Sequence, residues 1–260
     1  MKLIGTRIHR PRDSAFLTGR GTYLDDVAVP GLQHVAFVRS AVAHALIKSI
    51  DTAQAKAASG VVAVLTIDDL ARVSTTRRMP LIAAAAAAKE PTTPFILADA
   101  EVAFAGEIVA LVVGETRYAA EDGAALIDVD YETLPVVTDA RAGIEAGAAK
   151  VRTELKTNVM SRQRVEYGDI AAAFAPGALV FKEEIAIHRG CGHPMEGRGI
   201  VVECRPGTEQ ITAWSSTQMP NDLQQTIIVA TGAHDDAVRV ITPDVGGGFG
   251  PKYCVNPEEI

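Results

Sequence analysis

At 260 residues the chain has room for one large or two ordinary domains with real cores, and its 48% hydrophobic content marks it as globular, although much of that is alanine. A net charge of −7, a pI near 5.4 and the lack of any basic stripe exclude a nucleic-acid or anionic-membrane surface as the expected partner. No apolar run approaches the roughly 20 residues of a spanning helix, residues 1–5 lack the apolar core of a signal peptide, and three cysteines read as free thiols, so the expected location is the cytoplasm.

Residues 1–30 carry Gly5, Pro11, Gly19, Gly21 and Pro30 among polar residues and read as extended, with 1–17 an arm over something larger. Arg7, Arg10 and Arg12 are expected to be solvated or to pair with acids. Residues 35–38 and 45–50 are short strand candidates, with His44 a structural histidine in the turn before the second. Asp51 is placed to cap a helix that stops at Gly60; 61–65 then follows as a buried strand and Thr66 caps a short helix through Leu70. Residues 72–94 show no strand period, and Ala83 to Ala88 read as a peripheral helix or insertion. A strand is expected over 108–113, a helix from the Thr116 cap to about Leu126, and a strand over 127–131, with 134–137 closing a unit that runs from 18 to 138.

Residues 139–150 read as a linker with a weak helix, and 151–260 as a second part. In that part 179–188 alternates as a long strand, 200–205 and 210–215 form a pair joined by Pro206-Gly207-Thr208, and 221–231 is helical with Gly232 as its cap. The class is α+β (mixed α/β).

A β-branched strand from Val238 then runs through Pro243 into Gly246-Gly247-Gly248-Phe249-Gly250-Pro251-Lys252. Consecutive glycines allow positive φ and free several N–H groups to converge on an oxygen or phosphate. A tight turn that needs small residues is the alternative. The phosphate-binding P-loop fails here because Tyr253 follows Lys252 where Ser or Thr is required, and the dinucleotide fingerprint fails at Pro251. Cys191 and His193 have no second pair at zinc-site spacing, so no protein-ligated metal is expected.

Further motifs precede this loop: Leu17-Thr18-Gly19-Arg20-Gly21-Thr22-Tyr23-Leu24-Asp25-Asp26, Val38-Arg39-Ser40 with His44-Ala45, Gly60-Val61-Val62-Ala63-Val64-Leu65-Thr66 and Gly106-Glu107-Ile108-Val109-Ala110. They are followed by Tyr167-Gly168-Asp169, His193-Pro194-Met195-Glu196-Gly197-Arg198-Gly199 and Trp214-Ser215-Ser216-Thr217-Gln218. Together and in this order they resemble the molybdenum-binding large subunit of the xanthine dehydrogenase, aldehyde oxidase and carbon monoxide dehydrogenase family. The resemblance implies an α/β hammerhead domain over 18–138 and, over 151–260, the first part of a molybdopterin-binding domain that continues in further chain. It implies oxidative hydroxylation of an aldehyde or N-heterocycle, or oxidation of carbon monoxide, at a molybdopterin site carrying molybdenum, with the cytosine dinucleotide form expected. Its partners would be a small-molecule substrate, an FAD-binding medium subunit, a 2Fe-2S small subunit and the remainder of the molybdopterin domain. A truncated, non-catalytic remnant is the alternative, and the isolated chain is expected to be inactive.

By the same resemblance Gln218, in its Thr-Gln context, is the catalytic and cofactor-binding candidate: an amide donates to an oxo ligand without competing as a charged one. Gly247, Gly248, Phe249 and Gly250 match positions whose backbone approaches the cofactor; Phe249 is expected to wall the pocket, to pack in a core, or to do both. Lys252 either pairs with a phosphate or reaches solvent. Glu196 and Arg198 are expected to form a buried pair. Tyr253 stands where purine-oxidising relatives carry a glutamate, which disfavours a purine. The family's base lies downstream of the loop and maps to no residue of this chain.

Overall fold

The computed structural model describes residues 4–80, 93–188 and 190–260. A short helix α1 (Asp13–Leu17) lies inside the region expected to be an extended arm, held by Thr18 Oγ1 donating to the Ser14 carbonyl at 2.7 Å. Strands β1 (His34–Arg39) and β2 (Ala45–Asp51) follow as the sequence predicts. Helix α2 (Ala53–Ala57) departs from expectation at both ends: Thr52 holds the cap position, and Asp51 is still in β2, from where Oδ1 accepts the Ala53 N–H at 2.9 Å. The helix stops before Gly60 because Ala58 has turned to extended backbone.

Next come β3 (Val61–Leu65), α3 (Ile67–Leu70), the two-residue β4 (Glu101–Val102), β5 (Ile108–Gly114), α4 (Arg117–Ala125) and β6 (Asp128–Thr133). Thr66 and Asp69 form a reciprocal capping box on α3, and Thr116 Oγ1 accepts the Ala119 N–H at 3.1 Å on α4, so both Thr caps act as read. The expected helix over Ala83 to Ala88 lies outside the described residues; next to it Arg78 and Phe95 form an isolated antiparallel bridge. The strands assemble as two antiparallel three-stranded sheets, ordered β1-β5-β3 and β4-β2-β6. Ala45, Ala98, Val102 and Val109 form a core joining β5 to the second sheet, while Ala55, Val64 and Val112 pack beneath α2 and α4.

Helices α5 (Ala140–Gly143) and α6 (Ile170–Ala173) are single turns, each begun by an aspartate, Asp139 or Asp169, accepting an N–H three residues on. Residues 179–188 form no strand. Their alternation is real, but Leu179, Phe181, Ile185 and Ile187 are all exposed, and a strand exists only where a neighbour completes its ladder. The expected pair is present as β7 (Ile200–Cys204) and β8 (Ile211–Ser215), antiparallel; α7 (Pro220–Thr231) then ends on left-handed Gly232 and leads to β9 (Val238–Ile241), parallel to β8. Leu223 and Ile227 of α7 pack on Ala213 and Val238, closing a β-α-β unit over its own core.

Three sets of bonds tie residues 151–260 to the first part of the chain. Thr75 donates its N–H to the Ala230 carbonyl at 2.7 Å and Ser74 Oγ donates to the same oxygen at 2.9 Å, satisfying the end of α7. Arg39 at the end of β1 pairs with Glu258 at 2.7 Å. Buried Arg152 pairs with buried Glu107 beside β5. Among the described residues no helix is long and apolar enough to cross a membrane.

Candidate functional site

At the end of β9 the chain passes Pro243 and is fixed at Asp244 before the glycines begin. The Asp244 carboxylate accepts the Thr22 N–H at 2.9 Å and the Arg12 guanidinium, and the Asp244 N–H donates to the Thr22 carbonyl at 2.8 Å. The Thr22 amide, and after it Arg12, holds this carboxyl below its ordinary range. Arg12 therefore pairs with an acid, one of the two fates read for it.

The loop itself uses positive φ at Gly247 (101°), Phe249 (49°) and Gly250 (98°), whereas Gly248 stays outside that region. A bulky residue at positive φ is strained by about 1–3 kcal/mol. Phe249 nevertheless remains 77% exposed, so it packs in no core among the described residues and the ring stands at the loop tip. The N–H groups of Gly247, Gly248 and Phe249 find no acceptor among the described residues, while Gly246 N–H is held by Glu196 and Gly250 N–H by Gln218.

Gln218 lies three residues past β8 and is exposed, as a strand-end residue should be. Its N–H donates to the Lys252 carbonyl at 2.8 Å, and its Oε1 accepts the Gly250 N–H at 3.2 Å. With Oε1 engaged, the amide is turned so that Nε2 is its open end, a donor with no partner among the described residues. A Cβ on Gly248 would come within 2.5 Å of Gln218 Cδ, so only glycine lets loop and glutamine lie against each other.

The ion pairs differ from those expected. Glu196 does not pair with Arg198: its Oε2 takes Lys252 Nζ at 2.7 Å and the Gly246 N–H at 2.8 Å, and its Oε1 takes the Leu24 N–H at 3.3 Å. Arg198 reaches Glu258 instead, at 3.5 Å. Lys252 is neither free for a phosphate nor in solvent, since its side chain is 1% exposed and spent on Glu196. Burial pushes the Glu196 carboxyl up, but Lys252 and the Gly246 and Leu24 amides outweigh it and hold it below its ordinary range. Cys191 Sγ lies 3.4 Å from His193 Nε2, both exposed, and Gly192 between them abuts Phe249.

Three unspent amides, an unpartnered amide donor and open space over Gly250 suit an oxygen-rich, electron-rich ligand, and no His, Cys, Asp or Glu cluster among the described residues could hold a bare metal ion.

Two family models match the chain: "Aldehyde oxidase and xanthine dehydrogenase, a/b hammerhead domain" over residues 18–135 and "Molybdopterin cofactor-binding domain" over 151–260. The chain belongs to the xanthine dehydrogenase, aldehyde oxidase and carbon monoxide dehydrogenase family of molybdenum hydroxylases. Its relatives include the nicotine 6-hydroxylase large subunit of Paenarthrobacter nicotinovorans, 38% identical over 99% of this chain and 31% of the relative. The carbon monoxide dehydrogenase large chain of Afipia carboxidovorans is 36% identical over 96% of this chain and 31% of its own. Among solved structures, quinoline 2-oxidoreductase from Pseudomonas putida 86 superposes with a TM-score of 0.90 at 39% identity, covering 99% of this chain and 32% of that one. The chain thus spans about a third of the length of the molybdenum hydroxylases it matches.

Two contacts at this site were not legible beforehand. Glu196 and Lys252 are 56 positions apart and Arg12 and Asp244 are 232 apart, and no periodicity links residues so distant. The only signal was chemical: a lysine two residues past the last glycine of the loop, and a glutamate expected to be paired, although with Arg198.

Proposed function

We propose that this chain forms part of the cofactor site of a molybdenum hydroxylase, with residues 18–138 as the hammerhead domain, 139–150 as linker and 151–260 as a portion of the molybdopterin-binding domain. Gln218 presents Nε2 to an oxygen ligand of the cofactor, and the Gly247, Gly248 and Phe249 amides face the same group. Gly250 leaves the backbone bare for close approach, and Phe249 walls the substrate side. Bound there, molybdopterin, in its cytosine dinucleotide form, would supply the two-electron oxidation of an aldehyde or N-heterocycle. This chain's residues orient the group, and electrons leave through FAD-binding and 2Fe-2S partner subunits. Tyr253 in place of a glutamate makes a purine the less suitable substrate.

The observation that carries this reading is the Gly250 N–H bond to Gln218 Oε1, because it leaves the donor end of the amide outward beside unspent loop amides. In the assembled enzyme containing this chain, Gln218→Ala is expected to keep its molybdenum while losing about 100- to 1000-fold in turnover, the cost of one positioned donor. Metal analysis and dye-linked oxidation measure the two. Wild-type turnover in that variant would remove Gln218 from the site.

A further inference from the structure

We propose that the Glu196–Lys252 ion pair is a positioning device that clamps the glycine loop at both ends and through it sets the direction in which Gln218 presents its amide. The proposal rests on the functional reading above and extends it to residues that touch neither cofactor nor substrate. Glu196 Oε2 holds Gly246 N–H at 2.8 Å and Lys252 Nζ at 2.7 Å, the first and last residues of the Gly246–Lys252 loop, on a single oxygen. The Glu196 N–H donates back to the Gly246 carbonyl at 3.2 Å, so the contact is two-sided. A Cβ on Gly246 would sit 2.5 Å from Glu196 Cβ, which makes the approach as close as a backbone without a side chain allows.

From Lys252 the constraint passes to Gln218. The Lys252 carbonyl accepts the Gln218 N–H at 2.8 Å and Thr217 Oγ1 at 3.4 Å, so a displaced Lys252 displaces the glutamine's backbone. The Gly250 N–H, two residues before Lys252 on the same clamped loop, fixes the glutamine's side chain at 3.2 Å. Stability alone does not explain the arrangement. A buried ion pair is often replaced by apolar residues without loss, whereas it imposes a geometry that apolar packing leaves open. Arg198 and Glu258, the other charges nearby, pair with each other at 3.5 Å, and Asp244 is engaged by Arg12, so Glu196 is the one acid paired with Lys252 among the described residues.

The test uses the assembled holoenzyme and four variants: Glu196→Gln, Gln218→Ala, the double variant combining them, and Glu196→Met with Lys252→Met, which removes both charges and keeps the volume. Glu196→Gln is expected to keep its molybdenum and KM while kcat falls about tenfold, within the range for coupled neighbours, and to lower kcat less than about twofold further once Gln218 is alanine. Hydrogen exchange should quicken at the Gln218 and Gly250 amides and stay unchanged in β5. The double methionine variant should fold yet keep the kcat defect. Full additivity with Gln218→Ala, unchanged exchange at Gln218 and Gly250, or wild-type kcat in the double methionine variant would each overturn the proposal. If Gln218→Ala alone retains wild-type turnover, the functional reading falls instead, and the exchange measurement still decides whether the clamp exists.

Discussion

His44 has an oxygen at each ring nitrogen: Nδ1 lies 2.6 Å from the Pro135 carbonyl and Nε2 lies 2.6 Å from Glu101 Oε1. The ring is held from both sides and is 5% exposed, so the histidine is structural as the sequence suggested. Burial pushes the Glu101 carboxyl up, yet His44 and the Thr153 hydroxyl and amide outweigh it and leave it below its ordinary 4.5. The unfolded chain therefore takes up the proton first on acidification. This contribution to stability is present above pH 4.5 and is lost as pH falls through the lower folded value. Glu196 and Glu258 are shifted in the same direction, so acid unfolding by circular dichroism should steepen below pH 4.5, and Glu101→Gln should flatten that slope while lowering stability at pH 7. An unchanged slope would show that the pair does not couple to folding. At the loop, the restriction on Gly248 is steric rather than conformational, because a new Cβ meets Gln218 Cδ and Oε1 at 2.5 Å. Gly248→Val should consequently push the glutamine aside and block cofactor insertion; full molybdenum content in that variant would mean the loop is only a turn.

At the scale of elements, what the sequence revealed was whatever is settled within a few residues. Thr66 and Thr116 cap because their partners lie three positions on, and Gly232 ends α7 because the left-handed turn needs no distant neighbour. Thr116→Ala should cost about 1 kcal/mol in chemical denaturation, and Leu223→Ala, which empties the fully buried centre of the β-α-β unit, about 2–5 kcal/mol. Equal losses in the two variants would contradict this ordering of cap against core. Two of the misreadings among the strands have the opposite cause. Residues 179–188 carry strand alternation, but a strand is made by its neighbour, and none adjoins it among the described residues. Two-residue β4 is too short to leave a pattern and exists because β2 offers Ala45 and Leu46 as partners. The candidate site was legible at Gln218 and the glycines by motif. Its clamp was not, since lysine is rarely buried and the rule that it seeks solvent gave the wrong place for Lys252.

The whole molecule is held together by a small number of ties between distant segments, and this sets where it should break. Arg152, Thr153 and Glu154 bind in succession to Glu107, Glu101 and Arg78, fastening the start of the second part to the first two sheets. Breaking the buried Arg152–Glu107 pair by removing one partner would cost about 3–5 kcal/mol. At the other end Ser74, Thr75 and Arg39 hold α7 and Glu258. Between these anchors residues 160–188 are exposed throughout, with Val165, Tyr167, Phe181 and Ile187 more than 80% accessible. The β-α-β unit beyond has its own core in Ala213, Leu223, Ile227 and Val238. Brief proteolysis of the 260-residue chain should therefore cut first within 160–188, where Arg162, Arg164 and Lys182 offer sites to trypsin. The two fragments, ending near 160 and beginning near 190, should remain associated through the α7 and Glu258 contacts and co-elute on gel filtration. Rapid destruction of residues 200–260 with survival of 18–138 alone would show that the second part needs further chain to fold.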